Sequence, residues 1–121
     1  MALTQRARVL AQVDRQQIID LASDLIRIPS FKTEETPVAH YLADFFRQGG
    51  YDVDVQEVEP GRLQTIATLK GSGVGSSLML NGHTDINSLT MRWRRDPWTP
   101  SVEGDRLYGH GVQNMKGGLA S

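Results

Sequence analysis

The spacing of apolar residues in this chain changes once, at Gly49-Gly50, and that change restricts the fold more than any other feature. Ahead of the two glycines, apolar residues recur at helical spacing: Val38, Tyr41, Leu42, Phe45 and Phe46. After them, apolar and polar residues alternate, which is typical of a half-buried strand. A helix followed by strands predicts an α/β fold class, in which helices cover a sheet.

Two helices have clear boundary signals. Thr36 is suited to cap the second of them, Pro37 fits its first position, and Gly49-Gly50 predicts its end. The earlier helix is predicted to start after Asp14, a good N-cap, and to end before Pro29. Its apolar face contains Ile18, Leu21, Ala22, Leu25 and Ile26. Both helices are therefore predicted to be amphipathic.

The strand signals predict two hairpins and one buried strand. Residues 53–58 and 65–69 alternate around a turn, and residues 102–108 form a second, tight hairpin. The loop between them, 87–100, is irregular in pattern. Leu78-Met79-Leu80 is an unbroken apolar run, typical of a strand buried on both faces. His83 and Asp85 are therefore expected just beyond the carboxyl end of an interior strand, where ligand crevices form in α/β sheets.

Composition narrows the class of protein. The chain has 121 residues, 39% of them hydrophobic and 22% charged, with a net charge of -1, as in one ordinary globular domain. The balanced charge gives no reason to expect nucleic acid binding. Since there is no cysteine, any metal must have nitrogen and oxygen ligands. Neither a signal peptide nor an apolar stretch of ~20 residues is evident, so no membrane partner and a cytoplasmic location are expected.

Three polar residues near the end of the chain are candidates for a metal site. His83 and Asp85 point the same way on extended chain, so the carboxylate can bind one imidazole nitrogen and leave the other for a metal ion. Asn114 lies in the glycine-rich segment 109–118, and its amide oxygen can coordinate a cation. Two alternatives stay open: a His-x-Asp triplet also occurs by chance, and Asn114 suits a left-handed turn.

Other polar and aromatic residues allow more than one interpretation. His110 either faces the same site or is an exposed loop histidine. Trp93 and Trp98 either line a substrate cleft or anchor their own loop. Glu34-Glu35 precedes a helix, where negative charge is favourable, so this pair is interpreted as structural.

Four motifs in order make the chain resemble a known family: Gly82-His83-Thr84-Asp85, residues 93–98, the 104–109 hairpin, and residues 109–118, which end in Asn-Met-Lys-Gly-Gly. Together they strongly resemble the aminoacylase, acetylornithine deacetylase, succinyl-diaminopimelate desuccinylase and carboxypeptidase G family of zinc metallopeptidases. Ile28-Pro29-Ser30 and the helix entered through Glu34-Glu35 fit as well. The resemblance covers almost the whole chain.

The resemblance implies that residues 1–121 are the N-terminal portion of a zinc-exopeptidase-like catalytic domain, with a mixed sheet flanked by helices. In that family the equivalent of His83 is a metal ligand, and the equivalent of Asp85 is a catalytic residue that orients the histidine. The family usually has aspartate at the position of Asn114, where it bridges two zinc ions. The implied cofactor is one or two zinc ions, with cobalt or manganese as alternatives, and Asn114 weakens the case for two.

The implied function is that of a metal-dependent amidohydrolase of the acetylornithine deacetylase or succinyl-diaminopimelate desuccinylase type. Such enzymes hydrolyse the amide bond of small N-acyl amino acids or peptides through a metal-activated water, and the full-length protein is expected to be a homodimer. In the family the general-base glutamate, the later metal ligands and the dimerisation or lid domain follow the Met115–Gly118 segment. The 121-residue chain is therefore expected to be inactive alone.

Two other functions are compatible with the sequence. A non-catalytic binding or interaction module could retain half of the fold. An unrelated α/β domain could carry the motifs by accident.

Overall fold

The structure of the protein is a computed structural model that describes residues 4–90 and 92–121. The helices are α1 (Gln5–Leu10), α2 (Arg15–Arg27), α3 (Thr36–Gln48) and α4 (Gly117–Ala120), and the strands are β1 (Asp52–Glu59), β2 (Arg62–Thr68), β3 (Ser101–Glu103) and β4 (Arg106–Tyr108). The predicted α/β class is confirmed. Residues 1–3, part of the stretch expected to lack a signal peptide, and Met91, in the predicted loop 87–100, lie outside the described residues.

The two predicted helices are present as α2 and α3. Asp14 caps α2 as expected, since its Oδ1 accepts hydrogen bonds from the backbone N–H groups of Gln16 (2.8 Å) and Gln17 (3.3 Å). The capping role predicted for Thr36 is wrong by one position, because Glu35 is the N-cap residue of α3. The Thr36 hydroxyl instead donates to the carbonyl oxygen of Gly61, at 2.6 Å, and so ties α3 to the first hairpin.

Helix α1 was not predicted from the sequence. Thr4 caps it by accepting a 3.3 Å hydrogen bond from the Ala7 N–H, and none of its residues is buried. A short helix without an apolar face leaves no periodic pattern, so only local propensity and the cap could have indicated it.

The hairpins are confirmed, and their strands pair in two separate antiparallel sheets, β1 with β2 and β3 with β4. Helix α3 packs on the first hairpin, where the Thr65 hydroxyl donates to the Ala39 carbonyl at 2.6 Å. A single parallel bridge joins Phe31 to Ile86. Pairings of both directions therefore occur, although the described strands are not joined in one mixed sheet.

The prediction of a buried strand at Leu78-Met79-Leu80 is wrong. These three residues are 84–87% exposed and lie in an irregular segment without strand pairing. A strand buried on both faces needs neighbours on either side, and the described residues supply none to this run. His83 and Asp85 consequently follow an extended, unpaired segment instead of an interior strand.

The core lies between α2 and α3. Leu25, Val38 and Leu42 are its buried centre, and Leu119 of α4 packs against them. The Tyr41 hydroxyl donates to Asp24 Oδ2 at 2.8 Å, and burial together with this carboxylate raises the pKa of Tyr41 to about 12. Within the described ranges, no helix has the length and apolar character that crossing a membrane requires.

Glu35 connects the start of α3 to the first hairpin. Its carboxylate is 5% exposed and accepts hydrogen bonds from Arg62 Nη2 (2.7 Å), Arg62 Nε (3.2 Å) and the Thr33 N–H (3.0 Å). The hydrogen bond from Arg62 is the main reason why the pKa of Glu35 lies below its ordinary value of 4.5, and it outweighs the opposing effect of burial. The structural interpretation of this residue is thereby supported.

We expect Glu35→Gln to lower the free energy of unfolding at pH 7 by about 1–3 kcal/mol, since one buried partner of Arg62 loses its charge and one acceptor. Because the folded-state pKa is lowered, Glu35 stabilises the fold fully above about pH 4.5. That contribution is lost as the pH falls through the folded-state pKa. Urea unfolding of both proteins should therefore show a difference that shrinks in acid. Glu34→Gln, at an exposed neighbouring carboxylate, is the control, and an equal loss in both variants would contradict the prediction.

Candidate metal and active site

His83 and Asp85 form the pair that the sequence predicted. Asp85 Oδ1 lies 3.1 Å from His83 Nδ1, and the backbone carbonyl of Asp85 lies 3.0 Å from the same nitrogen. Two oxygens around Nδ1 favour the tautomer that carries its proton there. The other nitrogen, Nε2, then carries no proton and has a free lone pair, as a metal-binding imidazole requires.

Asn114 approaches the same imidazole from the glycine-rich segment. Its side-chain oxygen Oδ1 lies 3.0 Å from His83 Nε2. Asn114 has an extended backbone (φ -142°, ψ 92°), so the left-handed turn weighed as the alternative is wrong. It lies within an irregular turn, 112–116, closed by a 3.0 Å hydrogen bond from the Lys116 N–H to the Gly111 carbonyl. The structure thus brings all three candidate residues together.

The donor atoms of this cluster fit a cation. With the proton on Nδ1, His83 Nε2 and the Asn114 oxygen present lone pairs to each other at 3.0 Å, an arrangement that a shared positive ion would satisfy. The separation also allows both atoms to contact one zinc ion at the usual ~2.0–2.2 Å. Within 4–90 and 92–121 there is no group of three or more histidine and carboxylate side chains placed to hold a metal ion together. The described residues therefore bring two possible donor atoms together, fewer than a complete coordination shell has.

Glycines let the two site segments come close to each other and to the core. A Cβ atom on Gly82 would lie 2.5 Å from Leu119 Cδ2 and 3.3 Å from Met115 Cε, so the histidine segment rests directly on the asparagine segment. The His83 N–H also donates to Met115 Sδ at 3.4 Å. Gly111 has a φ of 82°, and a Cβ there would meet Ile86 Cγ2 at 2.6 Å. The close packing explains why this region is rich in glycine.

Two buried polar residues that sequence reasoning did not assign to the site support it. Ser30 is fully buried, and its hydroxyl donates to the Thr84 carbonyl at 2.6 Å. Lys116 is also fully buried, and its ammonium donates to the carbonyls of Leu25 (2.7 Å) and Ile28 (2.6 Å). Burial lowers the pKa of Lys116 to about 8. In the sequence, the small and apolar neighbours of Lys116 were the one sign that it is buried. They do not identify the carbonyl groups that it binds.

Aromatic side chains surround His110. Its ring makes edge contacts with Trp93 and Trp98, at centroid distances of 5.6 and 5.4 Å, and its Nε2 lies 2.7 Å from the carbonyl oxygen of Asn87. His110 is therefore a half-buried member of an aromatic cluster, not a freely exposed loop histidine. Trp98 packs against Phe31 as well, which fits the anchoring interpretation.

Trp93 is in a different position from Trp98. It is 37% exposed and lines a cavity of about 340 Å³ whose wall also includes Asn114. Leu107, Val112 and Gln113 line the same cavity. A partly apolar space directly beside the candidate metal ligand is suited to a small organic substrate. The cleft interpretation of Trp93 therefore has geometric support.

Sequence comparison shows that the chain is related to enzymes named for removing acyl groups. The chain is 39% identical to acetylornithine deacetylase of Aliivibrio salmonicida over 106 residues, which are 87% of this chain and 28% of the relative. It is 36% identical to succinyl-diaminopimelate desuccinylase of Methylobacterium sp. (strain 4-46) over 104 residues, 83% of the chain and 26% of the relative.

A third relative has another substrate in its name. The chain is 30% identical to N-formyl-4-amino-5-aminomethyl-2-methylpyrimidine deformylase of Bacillus subtilis over 116 residues, 88% of the chain and 26% of the relative. No protein-family model matches the chain. The chain is homologous to part of these amide hydrolases, which confirms the family resemblance, and it spans about a quarter of the length of the curated relatives that it matches.

Proposed function

We propose that this chain is the N-terminal part of the catalytic domain of a metal-dependent amidohydrolase. The observation that carries the proposal is the 3.0 Å approach of the Asn114 oxygen to His83 Nε2, with Nδ1 of the same ring held by Asp85. His83 and Asn114 would hold the metal, and Asp85 fixes the tautomer and orientation of the imidazole. The relatives, which are named for the removal of acyl groups, support amide hydrolysis independently of this geometry.

The proposed cofactor is zinc, with cobalt or manganese as alternatives. When bound, such an ion polarises the amide carbonyl and lowers the pKa of a water molecule, so that hydrolysis proceeds near neutral pH. The protein contributes placement: Asp85 keeps the imidazole lone pair directed at the metal position, and the cavity beside Asn114 holds the substrate next to it. Trp93 provides part of the apolar wall of that cavity.

The proposed substrate is a small N-acyl amino acid or peptide. The three relatives are named for the removal of acetyl, succinyl and formyl groups, so an acyl group on nitrogen is what their substrates share. A cytoplasmic location and a homodimeric full-length protein complete the proposal.

Further polypeptide is proposed to complete the site. Leu78-Met79-Leu80 is an apolar run left 84–87% exposed, and a contiguous exposed apolar surface of this kind usually lies against another surface. The general base and the remaining metal ligands would come from the same additional part. One observation favours a second candidate, a non-catalytic binding module: the described residues offer the two donors His83 and Asn114 and no cluster of three charged ligands.

The deciding experiment compares two proteins, the full-length gene product that contains these residues and the isolated 121-residue chain. Both are freed of metal, reloaded with zinc, and assayed on N-acetyl, N-succinyl and N-formyl amino acids. We expect zinc-dependent turnover from the full-length protein and none from the isolated chain. A full-length protein that binds zinc but turns over no acyl substrate would favour the binding module.

We expect Asn114→Asp to tighten binding of the second metal ion in the full-length protein by at least about tenfold, because a carboxylate adds a negative charge and a second ligand oxygen. Calorimetric titration with zinc measures the two affinities. Gln113→Glu places the same charge one residue away and serves as the control. Equal second-site affinities in wild type and Asn114→Asp would argue against a ligand role for Asn114.

A further inference from the structure

We infer that Ser30 and Lys116 are positioning residues, which hold His83 and Asn114 at their mutual distance by fastening both segments to the C-terminal end of α2. The effect of this positioning on metal binding rests on the proposed function. The positioning itself rests on four buried or half-buried hydrogen bonds, each shorter than 3 Å.

Ser30 fastens the histidine segment. Its hydroxyl donates to the Thr84 carbonyl at 2.6 Å, and its own carbonyl accepts from the Ile86 N–H at 2.9 Å. These two bonds lie on either side of Asp85, and one lies next to His83. Ser30 is fully buried, so water does not compete with either bond.

Lys116 fastens the asparagine segment. Its ammonium donates to the carbonyls of Leu25, in the last turn of α2, and of Ile28, the C-cap residue of that helix. The Leu25 carbonyl also accepts the capping hydrogen bond from the Ile28 N–H, at 3.3 Å. A cation at that position is also favoured by the helix dipole. Since Lys116 is two residues from Asn114, fixing its side chain restricts where the Asn114 amide can lie.

The two attachments share one support. Leu25 lies in the last turn of α2, and Ile28 and Ser30 follow the helix within three residues. The histidine and asparagine segments are therefore both attached to the same short stretch of chain, 25–30. Neither His83 nor Asn114 lies in a regular helix or strand, and the side chain of His83 is 45% exposed. The buried bonds of Ser30 and Lys116 are therefore strong restraints on the 3.0 Å contact between them.

The test uses Ser30→Ala and Lys116→Met in the full-length protein. Ser101→Ala and Lys70→Met are matched controls, because they remove a hydroxyl in β3 and an ammonium two residues beyond β2. The first readout is the ring ¹⁵N signals of His83 in the metal-free, histidine-labelled protein, assigned with His83→Gln. The second is zinc affinity, with the visible spectrum of the cobalt form.

In Ser30→Ala, which loosens the Asp85 segment, we expect the two His83 ring nitrogens to move toward the averaged shifts of exchanging tautomers. In Lys116→Met, which leaves the Asp85 contacts in place, we expect a shift of the Nε2 signal, because that nitrogen faces Asn114. In both variants we also expect zinc affinity to fall about 10- to 100-fold, as when partners of metal ligands are lost elsewhere. The controls should match wild type. A lower melting temperature with unchanged ring signals and unchanged zinc affinity would show a merely structural role and overturn the inference.

Ser30→Ala removes one oxygen atom and decides the question if Lys116→Met does not fold. A wild-type protein that binds no zinc through His83 would refute the proposed function, while the ring signals would still decide the positioning role. In the converse case, the wild-type protein binds zinc through His83 while neither variant changes the zinc affinity or the ring signals. That result would refute the positioning role and leave the proposed function standing.

Discussion

His83→Ala is expected to weaken zinc binding in the full-length protein by on the order of 10²- to 10³-fold. Structural zinc sites bind with about 10–16 kcal/mol, so one of four ligands accounts for roughly 2.5–4 kcal/mol, and each 1.4 kcal/mol is a factor of ten. We expect no measurable turnover from this variant, since the imidazole contacts both Asp85 and Asn114. Calorimetric titration and turnover of an acyl substrate provide the measurements.

The matched control is His40→Ala. This substitution removes the same side chain from an exposed position on α3. We expect wild-type zinc affinity and turnover from it. If His83→Ala retains wild-type affinity, the 3.0 Å contact of His83 with Asn114 is an ordinary hydrogen bond and the proposed metal position is wrong.

The second large effect is on stability. Gly111→Ala is expected to lower the free energy of unfolding by about 2–5 kcal/mol. Its φ of 82° is left-handed and costs a non-glycine residue about 1–2 kcal/mol. The added Cβ would lie 2.6 Å from Ile86 Cγ2, and overpacking of a well-filled region costs about 1–3 kcal/mol more. Ile86 is itself buried and bridged to Phe31, so it has little room to withdraw.

Gly104→Ala separates the two contributions. Gly104 also has a left-handed φ, 62°, but a Cβ there would meet nothing within 4 Å. It should therefore show the backbone cost of about 1–2 kcal/mol without the steric one. Urea unfolding of the three proteins gives the comparison, and equal losses at Gly104 and Gly111 would mean that Ile86 moves aside freely.

Local patterns in the sequence predicted most of the regular structure. Asp14 and Pro29 frame α2, and the alternation around residues 59–62 predicts the first hairpin, because capping and turn chemistry depend on near neighbours. The His83–Asp85 contact was predictable for the same reason, being two residues apart. The contact with Asn114 spans 31 residues. Residue types and the family resemblance suggested that the three residues share a site, but neither specified their distances.

The sequence did not correctly predict which residues are buried or which distant residues are hydrogen-bonded to each other. An apolar run such as Leu78-Met79-Leu80 predicts a buried strand only if other strands cover it, and periodicity cannot supply them. The hydrogen bond from Ser30 to Thr84 spans 54 residues, and that from Lys116 to Leu25 spans 91. Nothing in the sequence around either donor specifies its acceptor, so three-dimensional packing was needed to find them.

Because Lys116 is completely buried, its reactivity can be used to measure local opening of its segment. Amine-reactive reagents reach Lys70, whose side chain is 82% exposed, but they can reach Lys116 only when its segment separates from α2. The rate at which Lys116 is labelled, relative to Lys70, therefore measures how often the segment that carries Asn114 opens. Peptide mapping by mass spectrometry would read that opening frequency directly, with or without zinc.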